Sequence, residues 1–220
     1  MGSGVALRVA LKRGAMAGGS GTGYFWLRRL HTVAGLWLAF VYFAFFLVPM
    51  SSAFGGAASF NETASYISRL PLAGLAFTLL VLAPLMFHAA MGVSLLYTSS
   101  FNVISYGFYR NWMYALQRVT GIVVVPFAAY HIAKTILPFA FTGRFADFAF
   151  MQALMGTAWV RALYSAGVLC AAFHIGNGVA SALSSLGITG SKRSQDAFSM
   201  AMWIVTLVFA VWGLRIVFAF

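Results

Sequence analysis

The chain has 220 residues, 62% of them hydrophobic and 8% charged, with a mean hydropathy of +0.89. A soluble domain carries about 25% charged residues, so this composition excludes one and implies an all-α integral membrane bundle. Fourteen Lys+Arg against three Asp+Glu give a net charge of +11, which suits loops held by anionic headgroups or an acidic partner, not nucleic acid. No loop is long enough for a Rossmann unit, a P-loop or an iron–sulfur cysteine set.

Residues 1–24 are rich in Gly and Ala, carry Arg8, Lys12 and Arg13, and read as a basic flexible tail. Residues 25–220 read as one domain. Within it, five segments reach the roughly 20 residues that span a bilayer: about 28–52, 72–98, 112–139, 156–187 and 196–219. The connection at about 53–71 is polar, with Asn61, Glu62 and Arg69, and the next, 99–111, holds Tyr106, Tyr109 and Arg110. A third passes through Gly143, Arg144 and Asp147, with room for a short amphipathic piece. The last is GITGSKRSQD, a hairpin break. Cys170 is alone in an apolar stretch and reads as packing.

Orientation follows from the basic residues near the span ends. With the N-terminus cytoplasmic, nine lie on the inner side (Arg8, Lys12, Arg13, Arg28, Arg29, Arg110, Arg118, Lys192, Arg193) and five on the outer (Arg69, Lys134, Arg144, Arg161, Arg215). Nine against five favours that topology in the cytoplasmic (inner) membrane.

His31, His88, His131 and His174 each fall in or beside a different span. Ionisable side chains at membrane depth are costly and usually functional. At about 1.5 Å per residue, His88 and His174 lie about 16 and 18 residues from their outer ends, at one level in the inner half. Two histidines at one depth on different helices are what bis-imidazole haem ligation requires. Gly92, Gly176 and Gly178 follow them closely and would leave space for a macrocycle, or equally for helix packing. Pro84 and Pro126 can each kink a span. His131 lies about 19 residues along its own helix, in the outer half, and its depth-mate on the first span is Phe46, which cannot ligate iron. Met50, one turn further, carries a thioether that could. His31, in LRRLH with Arg28 and Arg29, reads as an interfacial residue rather than an iron ligand. Lys134, Tyr130, Tyr106 and Tyr109 read as snorkelling or aromatic-belt residues.

These stretches together resemble the single-polypeptide, five-helix cytochrome b membrane anchor of succinate dehydrogenases and fumarate reductases. The matching pieces are FWLRRLHTVAGLW, PLMFHAAMGV, W-x-Y-A-LQRVTGI, AAYH and AFHIGNGVASALSSLGITGSKRSQ, in order over roughly residues 24–200. The resemblance implies two haems b stacked across the membrane. His88 and His174 would then ligate the proximal iron, and His131 one side of the distal iron. The fourth ligand position falls on Phe46, and His31 matches a histidine that is not a ligand. That departure leaves open a five-coordinate distal haem, one ligated by Met50, or none, with side chains or quinone in the vacated space.

The resemblance further implies flavoprotein and iron–sulfur partner subunits, exchange of electrons with a membrane quinone (menaquinone), and a higher oligomer of the complex as one arrangement. Arg28, Arg29, His31 and Arg118, at the inner end, are candidates to neutralise haem propionates. Candidates for a quinone site are Arg28, His31 and Arg118 at that end, and Glu62 with the region of His131 at the other. Two other readings stand beside this one: a haem-free anchor or small transporter, and a cytochrome b subunit of a hydrogenase or formate dehydrogenase.

Overall fold

Long apolar runs have one local way to satisfy their backbone in hydrocarbon, which is to close each N–H on a carbonyl of the same helix. The computed structural model describes residues 21–98 and 101–220, and in it five helical runs are long and apolar enough to span. The first runs through α1 (Thr22–Val41), a π-helical segment (Tyr42–Leu47), one α turn (Val48–Met50) and a 3₁₀ turn (Ser51–Gly55), and ends in α2 (Gly56–Arg69). The second enters through Ala73–Phe77 and a π segment (Thr78–Leu82) into α3 (Ala83–Thr98). The third is α4 (Tyr109–His131), a π segment (Ile132–Ile136) and a last turn (Leu137–Thr142). After a short α5 (Phe148–Gly156), the fourth and fifth spans are α6 (Ala158–Ser185) and α7 (Lys192–Val217).

Each of the three π segments ends two residues before a proline: Leu47 before Pro49, Leu82 before Pro84, Ile136 before Pro138. Proline has no N–H, and its ring collides with the carbonyl four residues back. A wider turn relieves that collision and shifts the helix register at the same point. Before Pro84 the consequence is visible. The Leu80 carbonyl has no proline N–H to accept from, and Trp37 Nε1 of α1 donates to it at 2.5 Å. Pro126 sits inside α4 with no π segment before it. Of the two prolines expected to shape the spans, Pro84 thus has a π segment before it, as do Pro49 and Pro138.

The span α6 is the hub, packing on α7, α4 and α1. The second span packs chiefly on α1, touches α4 only sparsely, and has no buried residue among those described. The apolar core lies instead at the end of the bundle remote from the N-terminus, around Ala53, Phe60, Met151, Met155, Val160, Tyr164, Val168 and Val217. There α2 and α5 lie together. Asn61 Oδ1 accepts from the Phe148 N–H at 2.8 Å, and Ser68 Oγ from that of Phe145 at 3.0 Å. Phe60 is 1% exposed, between the rings of Phe148 and Phe220.

Three boundaries differ from the sequence expectation. The connection at 53–71 is mostly helical, because Phe60 and Ala64, one turn apart, bury the same face of α2; Gly56, at φ +77°, makes the bend that redirects it. The fifth span begins at Lys192, started by a capping box between Ser191 and Ser194. The first begins at Thr22, inside the stretch assigned to the basic tail. The rest of that tail, with Arg8, Lys12 and Arg13, lies outside the described residues. Where a short amphipathic piece was expected stands α5, capped by Asp147 accepting from Phe150 N at 2.8 Å; with Gln152 as its one polar side chain it is apolar rather than amphipathic.

Candidate functional site

The imidazoles of His88, on α3, and His174, on α6, come together with ring centroids 6.3 Å apart and planes at 88°. Each is held the same way. His88 Nδ1 lies 3.0 Å from the His31 carbonyl of α1, and His174 Nδ1 lies 3.0 Å from the Gln117 carbonyl of α4. A carbonyl only accepts, so both Nδ1 atoms carry the proton and both Nε2 atoms keep a lone pair. This is the tautomer a metal-ligating histidine needs, fixed by the outer hydrogen bond that orients the ring.

Each ring also faces a glycine on the neighbouring helix. A Cβ at Gly35 would stand 2.8 Å from His88 Cε1, and one at Gly121 would stand 3.1 Å from His174 Cε1. These are not the glycines expected from the sequence. Gly92 looks toward His31 Nε2, Gly178 toward Gln117 Nε2, and Gly176 admits Thr206 of α7 against α6. The glycines following a histidine in sequence share its helix and serve packing there. The space beside its ring is set by the facing helix.

Gln117 braces this arrangement. Its Nε2 donates to the His174 carbonyl at 3.0 Å while its own carbonyl accepts from His174, and its Oε1 accepts from Asn177 Nδ2 at 2.8 Å. Neither Gln117 nor Asn177 was singled out from the sequence; the signal was a polar pair on two apolar spans, inside the LQRVTGI and FHIGNG pieces.

The His31 ring stacks on His88 at 4.1 Å and 5°; α1 starts six residues earlier than expected, so His31 stands about 13 Å along the helix. Arg29 Nη1 donates to the Ser185 carbonyl at the end of α6 at 2.7 Å, filling one of that terminus's open acceptors. Arg28 is exposed, its guanidinium over Tyr24. Arg118 stacks on Tyr114 and Phe101, and its Nη2 reaches the Leu95 carbonyl at 3.4 Å. Its Nη1 is buried with no hydrogen-bond partner among the described residues.

His131 is placed differently. Its Nδ1 is 3.1 Å from the Tyr164 hydroxyl and its Nε2 3.4 Å from Thr135 Oγ1, so hydroxyls stand at both nitrogens. Phe46 stands edge-on to it at 6.1 Å. Phe127 and Tyr164 pack on its other sides at 6.2 and 5.7 Å. Met50 packs against the apolar cluster of Ala53, Phe60 and Met155. Glu62 is exposed on α2. Tyr109 accepts from Trp203 Nε1 at 2.7 Å, and Lys134 sits over Tyr130.

Residues 98–214 match the family described as the succinate dehydrogenase/fumarate reductase transmembrane subunit. The succinate dehydrogenase cytochrome b558 subunit of Bacillus subtilis (strain 168) is 32% identical over 201 residues, covering 91% of this chain and 99% of that protein. The chain belongs to this family.

For a succinate dehydrogenase/fumarate reductase transmembrane subunit, the fit of a haem can be tested on these residues. Among the described residues, no three His, Cys, Asp or Glu side chains converge to hold a metal by themselves. Two histidines make an iron site only where a porphyrin supplies the other ligands. His88 and His174 bring two such imidazoles together from separate spans. Both carry the tautomer that leaves Nε2 a lone pair, and their ring centroids stand 6.3 Å apart, so these two residues would hold a haem iron. The buried Arg118 Nη1, without a partner among the described residues, suits an acidic group.

Proposed function

We propose that this chain is the membrane-anchor cytochrome b subunit of a succinate:quinone oxidoreductase, in which His88 and His174 would hold the iron of a haem b. The observation that carries the reading is the matched pair of Nδ1–carbonyl hydrogen bonds, which leaves two Nε2 lone pairs on separate spans. When bound, the haem supplies a one-electron centre inside the membrane. The chain's own residues do the rest. The His31 and Gln117 carbonyls fix the ring orientations and raise the basicity of the ligands. Gly35 and Gly121 let neighbouring helices approach the imidazoles, and Arg118, with Arg28 and Arg29 nearby, supplies positive charge for the propionates.

The end of the bundle that carries Arg28, Arg29, Arg110 and Arg193 is the one we assign to the cytoplasm, by the positive-inside rule. It is also the docking end for the iron–sulfur and flavoprotein subunits, which handle succinate or fumarate. Quinone, menaquinone in this reading, is the membrane-side electron partner. No dicarboxylate chemistry belongs to this chain.

The test is a reduced-minus-oxidised spectrum of the purified complex, prepared with haem supply assured. A haem b band that disappears in both His88→Leu and His174→Leu is expected. Absence of the band in the unaltered protein would leave a haem-free anchor or transporter. Co-purification with a hydrogenase or formate dehydrogenase, without succinate activity, would reassign the complex.

A further inference from the structure

Family resemblance raises the expectation of a second haem around His131, and the residues there do not fit one. At His88 and His174, Nδ1 is anchored on a backbone carbonyl (with Thr120 Oγ1 also 3.4 Å from that of His174), Nε2 carries the free lone pair, and a glycine faces the ring. At His131 both nitrogens are met by hydroxyls, from Tyr164 and Thr135. Among the described residues, no glycine's Cβ position meets the His131 ring.

The nearest candidate for such a gap is Gly167, on α6, and its groove is taken by the Phe127 ring, one turn before His131. Phe127 in turn lies edge-on to Tyr164 at 5.3 Å. Across from His131 stands Phe46, which offers no lone pair. The surroundings are closed as well. Tyr164 is 4% exposed and Val168 7%, in the same cluster as Met155 at 1%, whereas the second span, which carries His88, has no buried residue among those described. A macrocycle at His131 would have to evict Phe127 from the Gly167 groove, strip two hydroxyls from the imidazole, and open the best-packed part of the bundle.

We infer that this chain holds one haem b per polypeptide, and that its half remote from the N-terminus is closed by an aromatic plug of Phe46, Phe127 and Tyr164 around a hydrogen-bonded His131. The inference rests on the assignment of His88 and His174 as haem ligands, and its test separates the two.

The measurement is haem b per polypeptide, by extraction and spectroscopy, on the intact complex isolated with haem supply assured. One haem per chain is the expected value. Two would overturn the plug and leave the His88–His174 assignment standing; none would overturn that assignment itself. Two variants add a check on the same preparation. His131→Leu is expected to keep the full haem content, and loss of half of it would overturn the inference. His88→Leu is expected to lose all haem, and retention of half would do the same. Should His131→Leu fail to assemble, the stoichiometry of the unaltered complex decides alone.

Discussion

The His31 imidazole lies flat on that of His88, 4.1 Å away and 5° from parallel, while the His31 carbonyl accepts the His88 Nδ1 proton. One residue of α1 thus holds the ligand ring twice, through its backbone and through its side chain. His31→Ala removes only the second hold. An aromatic stack is worth about 0.5–1.5 kcal/mol, so haem retention in a competition assay should fall by roughly 2–12-fold. His31→Phe, which keeps a flat ring, should restore most of it. Equal retention in all three proteins would show that the stack does not position His88.

Gly35→Ala and Gly121→Ala set helix propensity against ring space. Alanine favours a helix over glycine by about 1 kcal/mol, so neither variant should unfold the span. The added methyl would meet His88 Cε1 at 2.8 Å in the first case and His174 Cε1 at 3.1 Å in the second. Haem content should therefore drop more in Gly35→Ala than in Gly121→Ala, with assembly unchanged in both. The reverse order would mean that the rings yield more easily than their carbonyl anchors imply.

Arg118 carries a buried Nη1 without a partner among the described residues. A cation near the iron favours the form with the extra electron, so Arg118→Gln should move the midpoint potential in the negative direction. About 1 kcal/mol of Coulomb energy corresponds to roughly 40 mV for one electron. Potentiometric titration of the two proteins side by side reads the shift directly, and an unchanged midpoint would remove Arg118 from the site.

Gln117 separates the ligand's anchor from the helix brace. Its carbonyl, which holds His174, survives any substitution, whereas its side chain pairs with Asn177 and with the His174 carbonyl. Gln117→Leu leaves those partners unmet at a cost of about 1–3 kcal/mol. Thermal unfolding in detergent should occur at a lower temperature while the purified variant keeps its haem band at low temperature.

The five spans were legible because hydrocarbon thickness and helix rise leave little freedom, and the same rise placed Phe46 opposite His131. What depended on rotation about a helix axis was not legible. Gly92, Gly176 and Gly178 stood out for following a histidine, yet the rings face Gly35 and Gly121, whose position is set by how neighbouring spans turn toward one another. The π segments before Pro49, Pro84 and Pro138 add to this, since each rotates everything beyond it. The start of α1 at Thr22 was not legible either, since nothing in the glycine-rich stretch before His31 marks it.

The contact between Phe46 and His131 bears on how membrane voltage acts on the complex. Carrying one elementary charge across the whole bilayer works with or against about 2.3 kcal/mol for every 100 mV. A chain with redox centres at both levels would move electrons through most of that field. With Phe46 in place and a single haem at the level of His88 and His174, an electron entering at the N-terminal end samples only part of it. Turnover in sealed vesicles should then respond weakly to an imposed potential, which makes the identity of one first-span residue a determinant of electrogenicity.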